Sequence, residues 1–134
     1  MATPIRRFAT TEESFMASDL TIERREECKE KPGPDHVYAF GGISTDYMLE
    51  VDYSFRNGGW QRPVIKPNAP FDIDPANATL HYSIECFEGA KAYKTVDDDY
   101  IMFRILNNFR RMNNSHLQLG IPTFDIHQMA ECCR

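Results

Sequence analysis

Residues 90–122 read AKAYKTVDDDYIMFRILNNFRRMNNSHLQLGIP, and the fold class is decided here because the apolar period changes halfway along. Ala90 to Val96 and Tyr100 to Arg104 are β-compatible runs on either side of Asp97-Asp98-Asp99, so the spacing predicts a hairpin. From Leu106 the apolar positions step by threes and fours through Phe109, Met112, His116 and Leu119, the pattern of a helix with one buried face. Gly120-Ile121-Pro122 stops that helix. A strand pair running directly into an amphipathic helix implies an α/β domain of α+β character.

Outward from this stretch the signals are of the same kind. Asp125 is a good N-cap for a second helix through Ile126 and Met129. The sequence ends at Arg134 inside that helix with no Gly or Pro to stop it, and so reads as truncated. Upstream, Leu49, Val51, Tyr53 and Phe55 alternate with Glu50, Asp52 and Ser54, the period of a half-buried strand, before a tight turn at Asn57-Gly58-Gly59. Arg62 to Ile73 returns, but Pro63, Pro67 and Pro70 restrict it to an edge strand or an extended path. Ala76 to Phe87 has room for a helical turn or two, ending at Gly89. Residues 1–36 form a polar N-terminal arm with a charge run from Glu23 to Lys31, expected as a short helix or mobile segment before the turn at Lys31-Pro32-Gly33-Pro34. The domain proper is then 37–134.

With 134 residues the chain holds one small domain or part of one, and 42% hydrophobic against 26% charged residues is a composition that folds. The net charge of -5, with no basic cluster longer than a pair, argues against nucleic acid as a partner. No apolar run approaches the roughly 18 residues of a membrane span. Arg6 and Arg7 among Thr residues resemble a mitochondrial presequence, but Glu12 and Glu13 interrupt it, so a cytoplasmic location is expected, with a mitochondrial one as the alternative. Cys28, Cys86, Cys132 and Cys133 show no CxxC spacing and suit a reducing compartment, Cys132 as a structural thiol. His36, His81, His116 and His127 have no partner at metal-ligand spacing, and neither Gly-rich phosphate loops nor a GxSxG elbow occurs, so no metal site is expected.

The candidate chemistry lies in Leu80 to Tyr93 and in the helix that follows. Tyr82 and Phe87 offer aromatic surface, Gly89 close backbone approach, and Arg111 five fixed donors suited to a phosphate. On spacing alone, core packing for Tyr82 and Phe87 and a solvated helix face for Arg111 are the better reading, because aromatic residues more often pack than bind.

LHYSIECFEGAKAYK at 80–94, FRILNNFRRMNNS at 103–115, and FGGISTDYMLEVDY at 40–53 with Gly59-Trp60 resemble the amino-terminal part of branched-chain amino-acid aminotransferases of the eukaryotic type, from about Phe15 to the last residue. The resemblance implies a pyridoxal-phosphate enzyme of fold type IV. In that family a smaller amino-terminal α/β domain and a larger carboxy-terminal domain enclose the cofactor, as a homodimer, and the substrates are branched-chain amino acids and 2-oxo acids. It implies that Arg111 matches the arginine on the cofactor phosphate, and that Phe40, Tyr82 and Phe87 match aromatics of the branched side-chain pocket. Phe103-Arg104-Ile105 stands where the family has Phe-Arg-Pro, and Asn107, His116 and Gln118 replace commoner residues. The family's Schiff-base lysine, the acidic partner of the pyridine nitrogen and the substrate carboxylate site fall beyond residue 134, and Lys66, Lys91 and Lys94 lie outside the lysine's motif. The expectation is a fragment of a branched-chain transaminase, inactive alone, with no catalytic residue of its own. A non-catalytic short homologue that binds or regulates a full-length subunit is one alternative. Another member of the class, a D-amino-acid aminotransferase or aminodeoxychorismate lyase, is a second.

Overall fold

In a computed structural model, residues 14–33 and 35–134 are described. The presequence-like stretch with Arg6, Arg7, Glu12 and Glu13, and Pro34 of the turn, lie outside them. In chain order the elements are β1 (Thr21–Ile22), β2 (Tyr47–Glu50), β3 (Tyr53–Ser54), β4 (Gly59–Trp60), β5 (Val64–Pro67), α1 (Ala78–Tyr82), β6 (Ala92–Lys94), β7 (Tyr100–Met102), α2 (Ile105–Leu119) and α3 (Ile126–Cys132). Helix and strand are mixed, and the sheets are small.

β5 is central, not an edge: it pairs parallel with β1 and antiparallel with β2, giving the order β1-β5-β2. The prolines permit this because Pro63 precedes the strand and Pro67 is its last residue, so the amides between them stay free to join a ladder. The alternating run 49–55 also divides. β2 pairs with β5, whereas β3 pairs with β4 across a single 3₁₀ turn at Phe55–Asn57 and Gly58 at φ 88°. Phe55 therefore leaves the inward register and is exposed. The hairpin β6-β7 forms as expected, closed by the Thr95 amide donating to the Asp99 carbonyl. α1 ends at Tyr82, short of Gly89, because Ser83 takes a left-handed conformation.

Within the polar stretch 1–36, Phe15 is buried, β1 joins the sheet, and the Ser14 hydroxyl accepts the Asp125 amide. The charge run is irregular, not helical. It is strapped to residues 44–47 by the Arg25 amide donating to the Tyr47 hydroxyl and the Lys29 amide donating to the Asp46 carboxylate.

The core is aromatic. Phe15, Phe109, Phe124 and Cys132 are buried together, with Leu49, Val51, Trp60, Ile105, Met112, Ile126 and Met129 against them. Phe124, 1% exposed, meets Trp60 at 6.2 Å, Phe109 at 6.0 Å and His116 at 5.6 Å, all edge to face. Leu119, expected on the inward face of α2, is exposed, and Ile105 packs there instead. α2 ends at Gly120 (φ 71°), whose amide reaches the His116 and Leu117 carbonyls. Residues 71–104 contribute no buried residue.

Phe124→Ala removes the ring on which this core converges and should cost about 3–5 kcal/mol, enough to abolish a cooperative thermal transition. Asp125→Ala should cost about 0.5–2 kcal/mol, because the Asp125 carboxylate accepts the amides of His127 and Gln128, whereas Asp125→Asn should be nearly neutral. Thermal melts of the three variants check both, and equal losses for Ala and Asn at 125 would remove the cap from the account.

Candidate functional site

α2 presents two faces to different surroundings. Ile105, Phe109, Met112 and His116 meet the core, while Asn108 and Arg111, three residues apart on another face, meet the segment after α1. The Glu88 carboxylate takes Arg111 in a two-point pair, Nε donating to Oε2 at 3.0 Å and Nη2 to Oε1 at 2.5 Å. The Asn108 side-chain amide donates to the same Oε1 at 3.1 Å and to the Gly89 carbonyl at 2.6 Å, which ties the loop to the helix through side chain and backbone together. The Glu88 side chain is 14% exposed and that of Arg111 63%. The Arg111 hydrogen bond, opposed by desolvation and aided by the charge of Arg111, holds the Glu88 carboxyl below its usual range. The pairing thus contributes fully above the ordinary carboxylate pKa and is lost only as pH falls through the lowered one.

Beside this pair is an open cleft of about 410 Å³ lined by Gly89, Ala90, Lys91, Tyr93, Phe103, Arg104, Asn107, Asn108 and Arg111. Three of these side chains are cationic. Arg104 reaches the lining because its backbone is left-handed (φ 55°) where β7 turns into α2, a position without a side-chain cap and one where a non-glycine residue carries local strain. A Cβ added at Gly89 would meet no atom within 4 Å, so the backbone there is open to close approach. Arg110 faces elsewhere: its Nη1 donates to Asn107 Oδ1, and it lines a separate hollow with Asn113, Asn114 and Phe124.

The three aromatics singled out from the sequence are not gathered here. Phe40 is fully exposed in the irregular segment before β2, Tyr82 ends α1 at 77% exposure, and Phe87 is 92% exposed; none lines the Arg111 cleft. Neither Tyr82 nor Phe87 belongs to the core formed among the described residues. Phe87 is adjacent in sequence to Glu88 and so lies beside the cleft without entering its lining. Sequence reasoning missed Glu88 and Asn108 as partners of Arg111, and Lys91 and Arg104 as neighbours. The available signal was the spacing of Asn108 and Arg111 on one helix. Cys132 is buried in the core, and all four cysteines are free thiols. Among the described residues, no helix is long and apolar enough to cross a membrane.

No family model matches the chain. Similar proteins are known nonetheless. The cytosolic branched-chain-amino-acid aminotransferase of Ovis aries is 41% identical over 120 residues, 90% of this chain and 31% of that protein. The mitochondrial branched-chain-amino-acid aminotransferase of Bos taurus is 40% identical over 129 residues, 96% of this chain and 32% of its own length. A probable branched-chain-amino-acid aminotransferase of Staphylococcus epidermidis is 43% identical over 116 residues, 87% of this chain and 32% of its own. The chain is therefore related by sequence to the branched-chain-amino-acid aminotransferases, and it spans about a third of the length of the curated relatives it matches.

Proposed function

We propose that this chain is the amino-terminal part of a pyridoxal-phosphate-dependent branched-chain aminotransferase of fold type IV, and that it supplies the cofactor's phosphate site through Arg111. The observation that carries the reading is similarity of about 40% identity along nine tenths of the chain to proteins of that name. The geometry agrees with a phosphate ligand. Arg111, Arg104 and Lys91 supply positive charge, Asn107 supplies amide hydrogens, Gly89 is open, and the cleft lies at the amino-terminal end of α2, where the helix dipole favours an anion. When bound, pyridoxal phosphate would serve as the electron sink for transfer of an amino group between amino acid and 2-oxo acid.

In this reading Arg111 anchors and orients the phosphate. Phe40, Tyr82 and Phe87 contribute to a pocket for a branched aliphatic side chain once a second domain covers them. That cover is supported by surface: Phe40, Tyr82, Phe87, Phe103 and Tyr100 are all more than half exposed. A homodimer is the assembly proposed. The limits proposed are 1–36 for the arm and 37–134 for the small domain, with Phe15 and β1 of the arm packed into that domain. The relatives include cytosolic and mitochondrial proteins, and a cytosolic place is proposed here.

The 134 residues alone should form no glutamate from leucine and 2-oxoglutarate, since Lys66, Lys91 and Lys94 stand outside the family motif of the cofactor-bearing lysine. Turnover in a coupled glutamate assay would overturn the exclusion of these lysines from the cofactor-bearing role. Grafted in place of the corresponding segment of the Ovis aries relative, the chain should restore leucine transamination. In that graft Arg111→Ala should weaken pyridoxal-phosphate affinity by about tenfold or more, while Arg110→Ala leaves it within about twofold. Equal dissociation constants for the two variants would leave Arg111 an ordinary surface residue.

A further inference from the structure

We propose that Glu88 is a positioning residue that sets the Arg111 guanidinium for a ligand of the phosphate class, an inference that rests on the phosphate role given to Arg111 above. An arginine as exposed as Arg111 samples many rotamers, and immobilising it on a ligand costs conformational entropy. Here the side chain is already held, because Nε and Nη2 are both engaged by the Glu88 carboxylate. Glu88 is in turn held by Asn108 from the same helix, and the second hydrogen of the Asn108 amide is fixed on the Gly89 carbonyl. The planar fork is therefore committed along one edge, and Nη1, which takes no partner among the described residues, is left to an incoming anion in the cleft it lines.

Glu88 exerts two opposed effects on such a ligand. Its charge repels an anion, while its hydrogen bonds preorganise the group that binds it. Lys91, Arg104 and Arg111 line the cleft and outnumber Glu88, so its repulsion is covered and the ordering is what Glu88 adds. Two substitutions separate the effects. Glu88→Gln removes the charge but keeps one acceptor; Glu88→Asp keeps the charge but shortens the reach by one methylene.

The test is titration of the 134-residue chain with inorganic phosphate, followed by NMR at the Ala90 amide and the Arg111 side chain. The Trp60 indole N–H, bonded to the Thr123 carbonyl in the core, reports that each variant is folded. Positioning predicts that both variants bind phosphate about two- to tenfold more weakly than the parent. It also predicts that the Arg111 Nη resonances, distinct while the two-point pair restrains rotation about Nε–Cζ, merge in both. If Glu88→Gln binds phosphate as tightly as the parent or more so, while Arg111→Ala abolishes the response, Glu88 is a competitor and the proposal falls with the phosphate role of Arg111 intact. If Arg111→Ala leaves the Ala90 response unchanged, both readings fail together. If Glu88→Gln unfolds the chain, Glu88→Asp decides alone: phosphate affinity equal to the parent's overturns the proposal.

Discussion

The loop between α2 and α3 is the constraint on which the rest of the structure depends, because it places Phe124 at the centre of the core with its backbone fully engaged. The Asn113 amide donates to the Phe124 carbonyl at 2.8 Å, and the Phe124 N–H returns a bond to Asn113 Oδ1 at 3.2 Å. Trp60 Nε1 donates to the Thr123 carbonyl, and His116 Nδ1 to the Pro122 carbonyl, which can only accept and so fixes the ring tautomer. A buried loop without such partners would carry unpaired peptide groups at about 1–3 kcal/mol each. With them, a segment lacking helix or strand places Thr123 and Phe124 among the buried residues. Its partners come from α2, β4 and the residue before Phe15, so distant parts of the sequence converge on one side chain.

Because α2 supplies both Asn113 and His116 to that loop and Asn108 and Arg111 to the cleft, core and site share one rigid element. Residues 105, 109, 112 and 116 follow the helical repeat on the buried side, and 104, 108 and 111 follow it on the cleft side. Guanidinium placement is thus set by helix packing first and by Glu88 second. The rest of the cleft wall, Gly89 to Tyr93, comes from a region with no buried residue, and its link to the helix is the Asn108 and Arg111 pairing. Order in that wall depends on polar contacts at the surface, whereas order in the helix depends on aromatic burial.

Much of this was legible in the sequence where local chemistry decides the outcome. Period, Asp-rich turn, Gly120 and Asp125 mark the second hairpin and both late helices, since propensity, capping and burial agree there. What was not legible depended on partners remote in the chain. The three prolines of 62–73 argue for an edge, and only the pairing with both β1 and β2 shows that two of them, Pro63 and Pro67, bound a central strand. Phe55 continues an alternating run on paper, but Gly58 and Gly59 take the chain back before it can be buried. In the site, Arg111 could be singled out by type and by resemblance. Its carboxylate partner, 23 residues earlier, could not, because no period links a loop glutamate to a helix arginine.

The sign of the cleft opposes the sign of the chain, and distance decides which an approaching anion meets. The net charge of -5 is spread over a large surface, and at physiological salt charges more than about 8 Å apart are largely screened. The lining of the cleft holds three cations and no carboxylate among the described residues, and Glu88 beside it is already committed to one of them. A phosphate dianion at this place would interact chiefly with Arg104, Lys91 and the free edge of Arg111, and only weakly with the acidic remainder. An acidic protein can hold an anion in this way when its carboxylates are either distant or paired, and here Glu88, the carboxylate paired with Arg111, is the one that orders the arginine.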